Sequence, residues 1–322
     1  MKTIAVLTSG GDTPGMNTAI RAVYKMGVHL GYNVLGVYHG YEGLMTGKIA
    51  RLTDQDMEDT VDRGGTLLRT ARSEIFRTAQ GRKHAMKVIE AYQIDGLFVI
   101  GGDGSLSGAR ELSKLGLPVM GLPGTIDNDL AYTDYTIGFD TAVNSVANEI
   151  SKIRDTMRSH DRVGVIEVMG RACGDIALHA GVAGGADYIL VPEVDPVAGY
   201  EKACNTLIGN KLRGKLTSIV VIAEGAGGAN DFCEYVRDHS DLDIRPIVLG
   251  YTQRGGTPSS FDRVIASRMG AHAVKAFDRG AVNRAVGIRH NEIYDVDLTE
   301  ALEMPRRFDR QMYELNEILA HF

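Results

Sequence analysis

Cysteine is scarce in this chain, which has three cysteines in 322 residues. They stand far apart, at Cys173, Cys204 and Cys233. An odd number of scattered cysteines argues against a disulfide framework and favours a reducing compartment, so we expect a cytoplasmic protein. The nine histidines never stand four residues apart, and the sequence therefore lacks the helical spacing typical of zinc and di-metal motifs.

Long apolar runs and a basic excess are missing as well. The sequence has no run of about 18 apolar residues, so it predicts no membrane span. Its net charge of −6 argues against binding to nucleic acid or to an anionic membrane, because both need an excess of cations. The length and the hydrophobic content of 44% are sufficient for two domains or one large one.

Glycine, in contrast, is abundant, and its 39 residues concentrate where apolar runs end. These runs are short and β-rich, and amphipathic helical segments alternate with them. The alternation predicts parallel strands in an α/β sheet. Ligands of such sheets bind beyond the carboxyl ends of the strands, so the loops taken together indicate a multi-loop active site. Any single one of them could equally serve only as a turn.

Two of these loops suit a phosphate group. The loop TSGGDTPGMN, residues 8–17, links the first predicted strand to a helix that begins near Met16. Backbone N–H groups at such a place bind anions, although the loop has neither the Walker lysine nor a G-x-G-x-x-G pattern. The loop GGDGS, residues 101–105, adds Asp103. This acid is explained either as a Mg²⁺ ligand or as the cap of a helix that begins near Ser105.

The segment PGTIDND, residues 123–129, ends in two acids, Asp127 and Asp129. It could be a polar turn, or the acids could be a catalytic base and a metal anchor. Side chains of an extended segment alternate between two faces, which predicts that Thr125, Asp127 and Asp129 share one face.

Further polar residues lie next to other predicted strands. Glu224 and Arg171 follow strands, Arg254 comes soon after another, and Arg162 and Arg245 stand just before strands. Arginine offers planar, bidentate donors to phosphoryl oxygens, and a carboxylate accepts hydrogen bonds from sugar hydroxyls. The set therefore suits a phosphorylated polyol.

Taken together, these motifs resemble those of bacterial ATP-dependent 6-phosphofructokinases. The matching stretches, in the family's order and spacing, are LTSGGDTPGMN, GGDGS, PGTIDND, IGFDTA, EVMGR, AEG and QRGG.P..FDR. The resemblance implies an α/β fold with two Rossmann-like three-layer domains, mainly parallel central sheets and an active site in the cleft between them. Residues 1–138 with 251–301 would form the large ATP-binding domain. Residues 139–250 with 302–322 would form the smaller sugar-phosphate domain, with a last helix at about 310–319.

The resemblance also implies the reaction. The γ-phosphoryl group of ATP would pass to the 1-hydroxyl of D-fructose 6-phosphate, giving ADP and D-fructose 1,6-bisphosphate, the committed step of glycolysis. Asp127 would be the general base, and Asp103 and Asp129 would hold Mg²⁺. The transferring phosphoryl group would be held by Gly11, Arg72, Thr125 and Arg171. The residues implied for ATP are Gly11, Tyr41, Arg72, Ser73, Arg77, Gly102, Asp103, Gly104, Ser105 and Gly108.

The implied sugar-phosphate contacts are Thr125, Asp127, Arg162, Met169, Gly170, Arg171, Glu224, Arg245, Tyr251 and Arg254. Arg162 and Arg245 would reach the 6-phosphate from a neighbouring subunit, so the protein would be a homotetramer with shared active sites. Tyr251 stands where the family usually has His. A phenol can donate one hydrogen bond but cannot become a cation, which predicts a somewhat altered affinity for the sugar.

Two glycines favour ATP as the donor. The pyrophosphate-dependent branch of the family carries Asp where Gly104 stands and Lys where Gly124 stands. A side chain at position 104 would crowd the α-phosphate of ATP. The alternatives are a pyrophosphate-dependent enzyme and a non-catalytic sensor of sugar phosphates or nucleotides on the same fold.

An effector site for ADP or phosphoenolpyruvate is implied at Arg21, Lys25, Asp59, Arg154, Gly185, Asp187, Arg213 and Lys215. However, Asp54 stands where a relative has Arg, and Leu216 and Thr217 replace a Lys-His pair. Loss of cations weakens the binding of a multiply charged phosphate. We therefore predict weak allosteric control.

Overall fold

The computed structural model describes residues 2–320, apart from the side chains at positions 196 and 197. The strands are β1 Thr3–Ser9, β2 Asn33–Val37, β3 Ile49–Arg51, β4 Gly96–Gly101, β5 Val119–Pro123, β6 Val163–Val168, β7 Tyr188–Leu190, β8 Ser218–Ala223, β9 Ile244–Val248, β10 Arg284–Arg289 and β11 Glu292–Asp297. The α-helices are α1 Met16–His29, α2 Gly40–Thr46, α3 Ala79–Ala91, α4 Asp103–Ser113, α5 Phe139–Arg158, α6 Asp175–Gly184, α7 Pro196–Leu212, α8 Ala229–His239, α9 Ser260–Asp278, α10 Leu298–Glu303 and α11 Arg310–Leu319. Short 3₁₀ turns occupy Gln55–Met57, Glu224–Ala226 and Gly250–Arg254.

The chain packs as two compact units. The first comprises the chain up to Thr125, then Asp129–Asp140 and Arg254–Arg306. The second comprises Ile126–Asn128, Thr141–Gln253 and the chain from Arg307. The division therefore runs through the PGTIDND segment. The functional domain limits implied by the resemblance stay a prediction.

The first unit is built on a seven-stranded sheet of order β11-β10-β5-β4-β1-β2-β3. Its central pairs are parallel, and only the outer strands β3 and β11 run antiparallel to their neighbours. Side chains of β1 alternate between the two faces, as a strand requires. Ile4 and Val6 pack with α1 and α9 on one face, while Ala5 and Leu7 pack with α2, α3 and α4 on the other. The unit therefore has three layers.

The second unit has a four-stranded, wholly parallel sheet of order β7-β8-β6-β9. On one face, Val163 and Val165 of β6 pack with side chains of α7 and α8. On the other face Gly164 leaves room for Ile153 and Met157 of α5. This unit too has helices on both faces of its sheet. The predicted fold class, with three-layer units and mainly parallel sheets, is confirmed, and so are the helix that begins at Met16 and the helix at 310–319.

Candidate functional site

The two predicted phosphate loops and the start of the PGTIDND segment lie side by side in the first unit. The register of the sheet pairs Ser9 of β1 with Gly101 of β4, and Gly101 with Pro123 of β5. The amide of Gly124 then donates to the carbonyl of Gly101, at 3.0 Å. Because the three strands are parallel, the loops TSGGD, GGDGS and PGT all leave the sheet at its carboxyl edge. This edge is where open α/β sheets bind their ligands.

The amino end of α4 opens onto this edge. Gly102 occupies the N-cap position, and Asp103 is the first residue of the helix. The interpretation of Asp103 as the cap is therefore wrong, and the helix begins two residues earlier than the sequence suggested. Both Asp103 and Gly104 are exposed. The first turn of a helix presents unpaired N–H groups and a positive dipole end, which suits a phosphate.

The two glycines that favour ATP have different surroundings. A Cβ atom added at Gly104 would meet no atom within 4 Å. A Cβ at Gly124 would lie 2.9 Å from Ile100 and 3.2 Å from Met16. A side chain at position 104 would thus fit the fold, whereas one at position 124 would push against the core.

Tyr41 supports the GGDGS loop from below. Its ring stacks on Phe76, with centroids 4.0 Å apart, and its hydroxyl donates to the carbonyl of Ser105 at 2.5 Å. A side chain at Gly108 would strike this ring at 2.8 Å. The ring is 6% exposed, and burial raises the pKa of Tyr41 far above its usual value. Tyr41, one of the residues predicted for ATP, is therefore buried and packs under the GGDGS loop.

The arginine-rich loop after residue 62 is tied to the TSGGD loop. The hydroxyl of Thr70 donates to the carbonyl of Gly10 at 2.7 Å. Within this loop Arg72 is exposed, Ser73 donates to Glu42 at 2.6 Å, and Arg77 pairs with Glu74 at 3.4 Å. Thr8 and Asn17 add further bonds, from the Thr8 hydroxyl to the carbonyl of Arg69 at 3.0 Å and from the Asn17 amide to the carbonyl of Arg63 at 2.9 Å. The predicted ATP residues of the loop are thus held next to the predicted phosphate loop.

Arg254 lies directly over Gly11. A Cβ atom at Gly11 would come 2.3 Å from the arginine Nη1, which donates to the carbonyl of Asp12 at 3.3 Å. The structure thus brings together two residues that stand 243 positions apart in the chain and places a cation on the TSGGD loop. A side chain at position 11 would have to displace the guanidinium of Arg254, which occupies that space.

The PGTIDND segment is bent, and the prediction that Thr125, Asp127 and Asp129 line one face of an extended strand is wrong. The strand ends at Pro123, residues 126 and 127 form a bend, and Asn128 has a φ of 51°. The segment turns because the chain moves from one compact unit to the other and back. Thr125 stays beside Gly102, whose added Cβ would lie 3.4 Å from the threonine Cβ.

Asp127 lies in the second unit and pairs with Arg171. Its carboxylate is 1% exposed, and its Oδ2 is 3.4 Å from the guanidinium Nε of Arg171. Arg171 itself is exposed and has a left-handed φ of 55°. The predicted base and the predicted phosphoryl-stabilising cation therefore meet directly.

Glu224 holds Arg171 through the backbone. Its Oε1 accepts from the amide of Arg171 at 2.7 Å and from that of Gly170 at 3.2 Å. A Cβ at Gly225 would lie 2.0 Å from the carbonyl oxygen of Arg171. The loops after β6 and β8 are thus locked together at the carboxyl edge of this sheet.

A small cavity of about 220 Å³ lies beside these loops, lined by Met169, Glu224 and Tyr251 among others. Tyr251 is 83% exposed. Gln253, which is buried, accepts from the amide of Met169 at 3.1 Å and donates to the carbonyl of Gly250 at 3.0 Å. Gln253 had no predicted role, although it belongs to the QRGG motif. It fixes the turn that carries Tyr251.

Arg162 and Arg245 lie at the amino ends of strands in the same sheet, opposite the carboxyl ends that carry Met169 and Glu224. Arg162 precedes β6, and Arg245 is the second residue of β9, so the prediction that it stands before a strand is wrong. Arg162 Nε donates to Asp243 Oδ2 at 2.7 Å, and Arg245 Nη1 pairs with Asp243 Oδ1 at 2.7 Å. The six residues of β6 separate Arg162 from Met169 by roughly 20 Å. The two groups of predicted sugar-phosphate residues in this unit are therefore far apart.

The predicted effector residues lie partly in each unit and several are already paired. In the first unit Lys25 forms an ion pair with Asp54, Arg21 is half-buried and Asp59 is exposed. In the second unit Lys215 pairs with the buried Asp187.

The rest of the second unit's effector residues are also held by polar contacts. Arg154 donates to the carbonyl of Gly185 at 2.8 Å, and Arg213 donates to Asn210 at 2.8 Å. A cavity of about 660 Å³ between α7 and α11 is lined by Asp187 and Arg213 among others. Part of the positive charge of this site is therefore neutralised within the chain.

The structure offers no sign of a membrane segment in the part it describes. None of the helices between residues 2 and 320 combines the length and the apolar content needed to cross a bilayer.

Comparison with known proteins shows which family this chain is similar to. The family described as Phosphofructokinase matches residues 3–277. The chain is 53% identical over 320 residues to proteins named ATP-dependent 6-phosphofructokinase from Clostridium botulinum (strain Loch Maree / Type A3) and from Alkaliphilus metalliredigens (strain QYMF), covering 99% of this chain and 100% of each relative. It is also similar to the solved phosphofructokinase of Saccharomyces cerevisiae, with a TM-score of 0.88 and 37% identity, over 94% of this chain and 45% of the yeast chain. The chain belongs to the phosphofructokinase family.

Proposed function

We propose that this chain is an ATP-dependent 6-phosphofructokinase. It transfers the γ-phosphoryl group of ATP to the 1-hydroxyl of D-fructose 6-phosphate, and the products are ADP and D-fructose 1,6-bisphosphate. The observation that carries the proposal is the ion pair between the buried Asp127 and Arg171, in a chain 53% identical to full-length relatives with that activity in their name. The predicted domain limits and a cytoplasmic location remain part of the proposal.

ATP binds at the carboxyl edge of β1, β4 and β5. Phosphates lie against the backbone of Gly11, Gly102 and Gly104 and at the amino end of α4, with Arg72 as a nearby cation. Support comes from the pairing of Ser9, Gly101 and Pro123, which places the three loops side by side. Phosphoryl transfer asks a protein mainly for positioning and charge stabilisation.

Mg²⁺ fits the residues present. Asp103 is an exposed carboxylate in the first turn of α4, next to the glycines of the phosphate loop, and Asp129 offers a second hard oxygen donor. Carboxylate oxygens are the ligands that Mg²⁺ prefers, usually together with phosphate and water. The bound ion supplies charge neutralisation on the phosphates of ATP.

Asp127 accepts the proton of the 1-hydroxyl as that oxygen attacks phosphorus. Its partner Arg171, with Thr125, stabilises the charge on the transferring phosphoryl group. A positioned base contributes about 10²–10⁴-fold to the rate. The 2.7 Å bond from the amide of Arg171 to Glu224 holds the backbone of the arginine, and the ion pair with Asp127 directs its side chain.

The sugar binds where Met169, Gly170, Glu224 and Tyr251 surround the small cavity of the second unit. Arg254, which lies close to Gly11 in the first unit, is a further proposed contact of the sugar phosphate. Tyr251 is exposed at this rim, and its phenol donates one hydrogen bond to the sugar phosphate.

The protein works as a homotetramer whose active sites are shared between subunits. This is supported by the separation along β6: Arg162 and Arg245 lie at one edge of the sheet, and Met169 and Glu224 at the other. No hexose phosphate spans that distance, so one copy cannot supply both groups to one substrate. In the proposed tetramer a neighbouring copy brings its Arg162 and Arg245 to the 6-phosphate.

Allosteric control by ADP or phosphoenolpyruvate is weak. The ion pairs of Lys25 with Asp54 and of Lys215 with Asp187 already satisfy two of the cations that a phosphorylated effector would need. An effector must displace these carboxylates, of which Asp54 is exposed and Asp187 is buried, and this reduces its net gain on binding.

The first test is a coupled assay of ADP release with ATP and fructose 6-phosphate. Asp127→Asn should lower kcat about 10²–10⁴-fold, while Asp62→Asn, an exposed acid of the first unit, should leave it unchanged. Replacing ATP by pyrophosphate should abolish turnover, measured here as formation of fructose 1,6-bisphosphate because this donor releases phosphate and not ADP. Near-normal turnover of the Asp127 variant, or efficient use of pyrophosphate, would contradict the proposal.

The second test addresses the shared sites. Asp127→Asn and Arg162→Ala subunits are each made, then mixed by dissociation and reassociation. With random mixing, roughly a quarter of the sites combine an intact Asp127 with an intact Arg162 from the other chain, so activity should return. No recovery in verified mixed tetramers would show that both residues must come from one chain.

A further inference from the structure

Asp243 lies between the two arginines that are proposed to receive the sugar phosphate. One carboxylate oxygen accepts from Arg162 Nε at 2.7 Å, and the other pairs with Arg245 Nη1 at 2.7 Å. Each oxygen thus holds one guanidinium. Arg162 is half-buried, and Asp243 and Arg245 are exposed.

The sheet register explains this arrangement. β6 and β9 are parallel neighbours in which Val163 is paired with Ile244, so the preceding residues, Arg162 and Asp243, stand side by side. The amide of Val163 donates to the carbonyl of Asp243 at 2.9 Å. Arg245 follows Asp243 by two positions, and side chains two apart on a strand share a face. All three side chains are therefore brought to one edge by strand pairing.

The cluster carries an excess of positive charge. Arg237 contributes a third guanidinium nearby, and its Nη2 donates to the carbonyl of Ile244 at 3.1 Å. The hydrogen bond from Arg162, together with the charges of Arg245 and Arg237, lowers the pKa of Asp243. One carboxylate thus sits among three cations, and the cluster keeps a net positive charge for an anion.

The pairing leaves donors free for a phosphate. A guanidinium has five N–H groups in a fixed plane. Arg162 uses its Nε toward Asp243, so its Nη groups remain for a ligand, and Arg245 uses Nη1 and keeps Nε and Nη2. The carboxylate of Asp243 therefore orients both guanidinium groups and leaves the N–H groups that would donate to a phosphate.

We propose that Asp243 is a positioning residue for the sugar phosphate: it holds Arg162 and Arg245 on its two carboxylate oxygens, ready to receive the 6-phosphate. The inference rests on the proposed role of these two arginines and adds a residue that the sequence motifs did not indicate. The stability of the fold depends little on this exposed ion pair. Its effect falls on substrate binding, because two long side chains are ordered before the phosphate arrives.

Asp243→Asn should have two opposite effects on the KM for fructose 6-phosphate, and the net change in that KM tests the inference. Removing a negative charge beside the phosphate site weakens electrostatic repulsion, which by itself lowers the KM for fructose 6-phosphate. Releasing two arginines raises that KM, because their order must then be imposed by the substrate. The positioning role requires the second effect to win, with a KM raised about five- to tenfold.

The experiment measures kcat and the KM values for fructose 6-phosphate and ATP on four full-length proteins. They are the wild type, Asp243→Asn, Asp243→Glu and the matched control Asp238→Asn, which removes the same charge from the exposed face of α8. We expect Asp243→Asn to raise only the KM for fructose 6-phosphate. Asp243→Glu should restore most of the affinity, and Asp238→Asn should match the wild type. Melting temperature and oligomeric size confirm that each variant is folded.

Failure of the inference is distinguishable from failure of the proposed function. Arg162→Ala is measured in the same series. If it raises the KM for fructose 6-phosphate while Asp243→Asn leaves that KM unchanged or lowers it, the arginine role stands and the Asp243 role is refuted. If Arg162→Ala also leaves the KM unchanged, the proposed phosphate site is wrong and the inference is overturned with it. If Asp243→Asn does not fold, Asp243→Ser takes its place, since a raised KM for fructose 6-phosphate supports positioning and an unchanged or lowered KM refutes it.

Discussion

Gly104→Asp should make the protein more stable and a poorer user of ATP. Position 104 is the second residue of α4, is exposed, and has no atom within 4 Å of an added Cβ. Replacing glycine in a helix gains a few tenths of a kcal/mol, and a carboxylate in the first turn gains about 0.3–1 kcal/mol from the helix dipole. We therefore expect the free energy of unfolding to rise by roughly 0.5–1.5 kcal/mol.

The same carboxylate would face the phosphates of ATP in the proposed site. Two like charges about 6–8 Å apart at an effective dielectric constant of about 20 repel by roughly 2–3 kcal/mol. That energy corresponds to a KM for ATP raised about thirty- to a hundredfold. The KM for fructose 6-phosphate should change little, because its contacts lie elsewhere.

The assay pairs urea unfolding with steady-state kinetics for Gly104→Asp, Gly104→Asn and Gly104→Ala. The asparagine variant has the shape of aspartate without its charge, so it separates crowding from repulsion. The alanine variant reports the backbone effect alone. A stable Gly104→Asp protein with a wild-type KM for ATP would refute the placement of the phosphates at the amino end of α4.

Three further predictions concern charge and burial. Asp54→Arg, which frees Lys25 from its ion pair, should lower the ADP concentration that gives a half-maximal change in enzyme activity. Glu58→Arg makes an equal charge change nearby and should leave that concentration unchanged. Equal responses of the two variants would contradict the pairing argument. Burial and the hydrogen bond to Asp278 raise the pKa of Tyr32 from 10.0 to about 12, so the neutral phenol stabilises the fold below about pH 10 and this stabilisation is lost as the pH rises toward 12. The advantage of the wild type over Tyr32→Phe in urea unfolding should shrink over that range, and a constant difference would contradict it. All three cysteines are buried, and burial raises the pKa of Cys233 to about 11. Dithiobisnitrobenzoate at pH 8 should therefore label no thiol quickly in the native protein, but all three in urea. Fast labelling of the native protein would contradict the burial of the cysteines.

The sequence predicted the elements whose signals are local. The helix at Met16 and the last helix were placed correctly because their apolar periodicity and the turns beside them are written in consecutive residues. Parallel strands followed from short apolar runs between helices. The meeting of the phosphate loops followed from one general rule, that parallel strands present their carboxyl ends together.

Features that depend on tertiary pairing were not predictable. The bend at Asp127 arises where the chain passes between compact units, and nothing in PGTIDND signals that transition. Arg245 was placed before its strand because the strand's start is set by pairing of Ile244 with Val163. Gln253 and Asp243 have partners about 80 positions away, and only the register of the sheet brings them together.

The lock between Glu224 and Arg171 has a consequence for how the enzyme can change over evolution. The stretches EVMGR and AEG stand more than 50 residues apart, yet Gly225 must lack a side chain because the carbonyl of Arg171 occupies its place. In the proposed site, moreover, Glu224 would serve the sugar with the same carboxylate that accepts from the amide of Arg171. Selection for a different sugar at position 224 would therefore loosen Arg171, the cation proposed to stabilise the phosphoryl group. The two motifs form one inherited unit, and new sugar selectivity is more accessible through Tyr251, whose exposed side chain carries no such second duty.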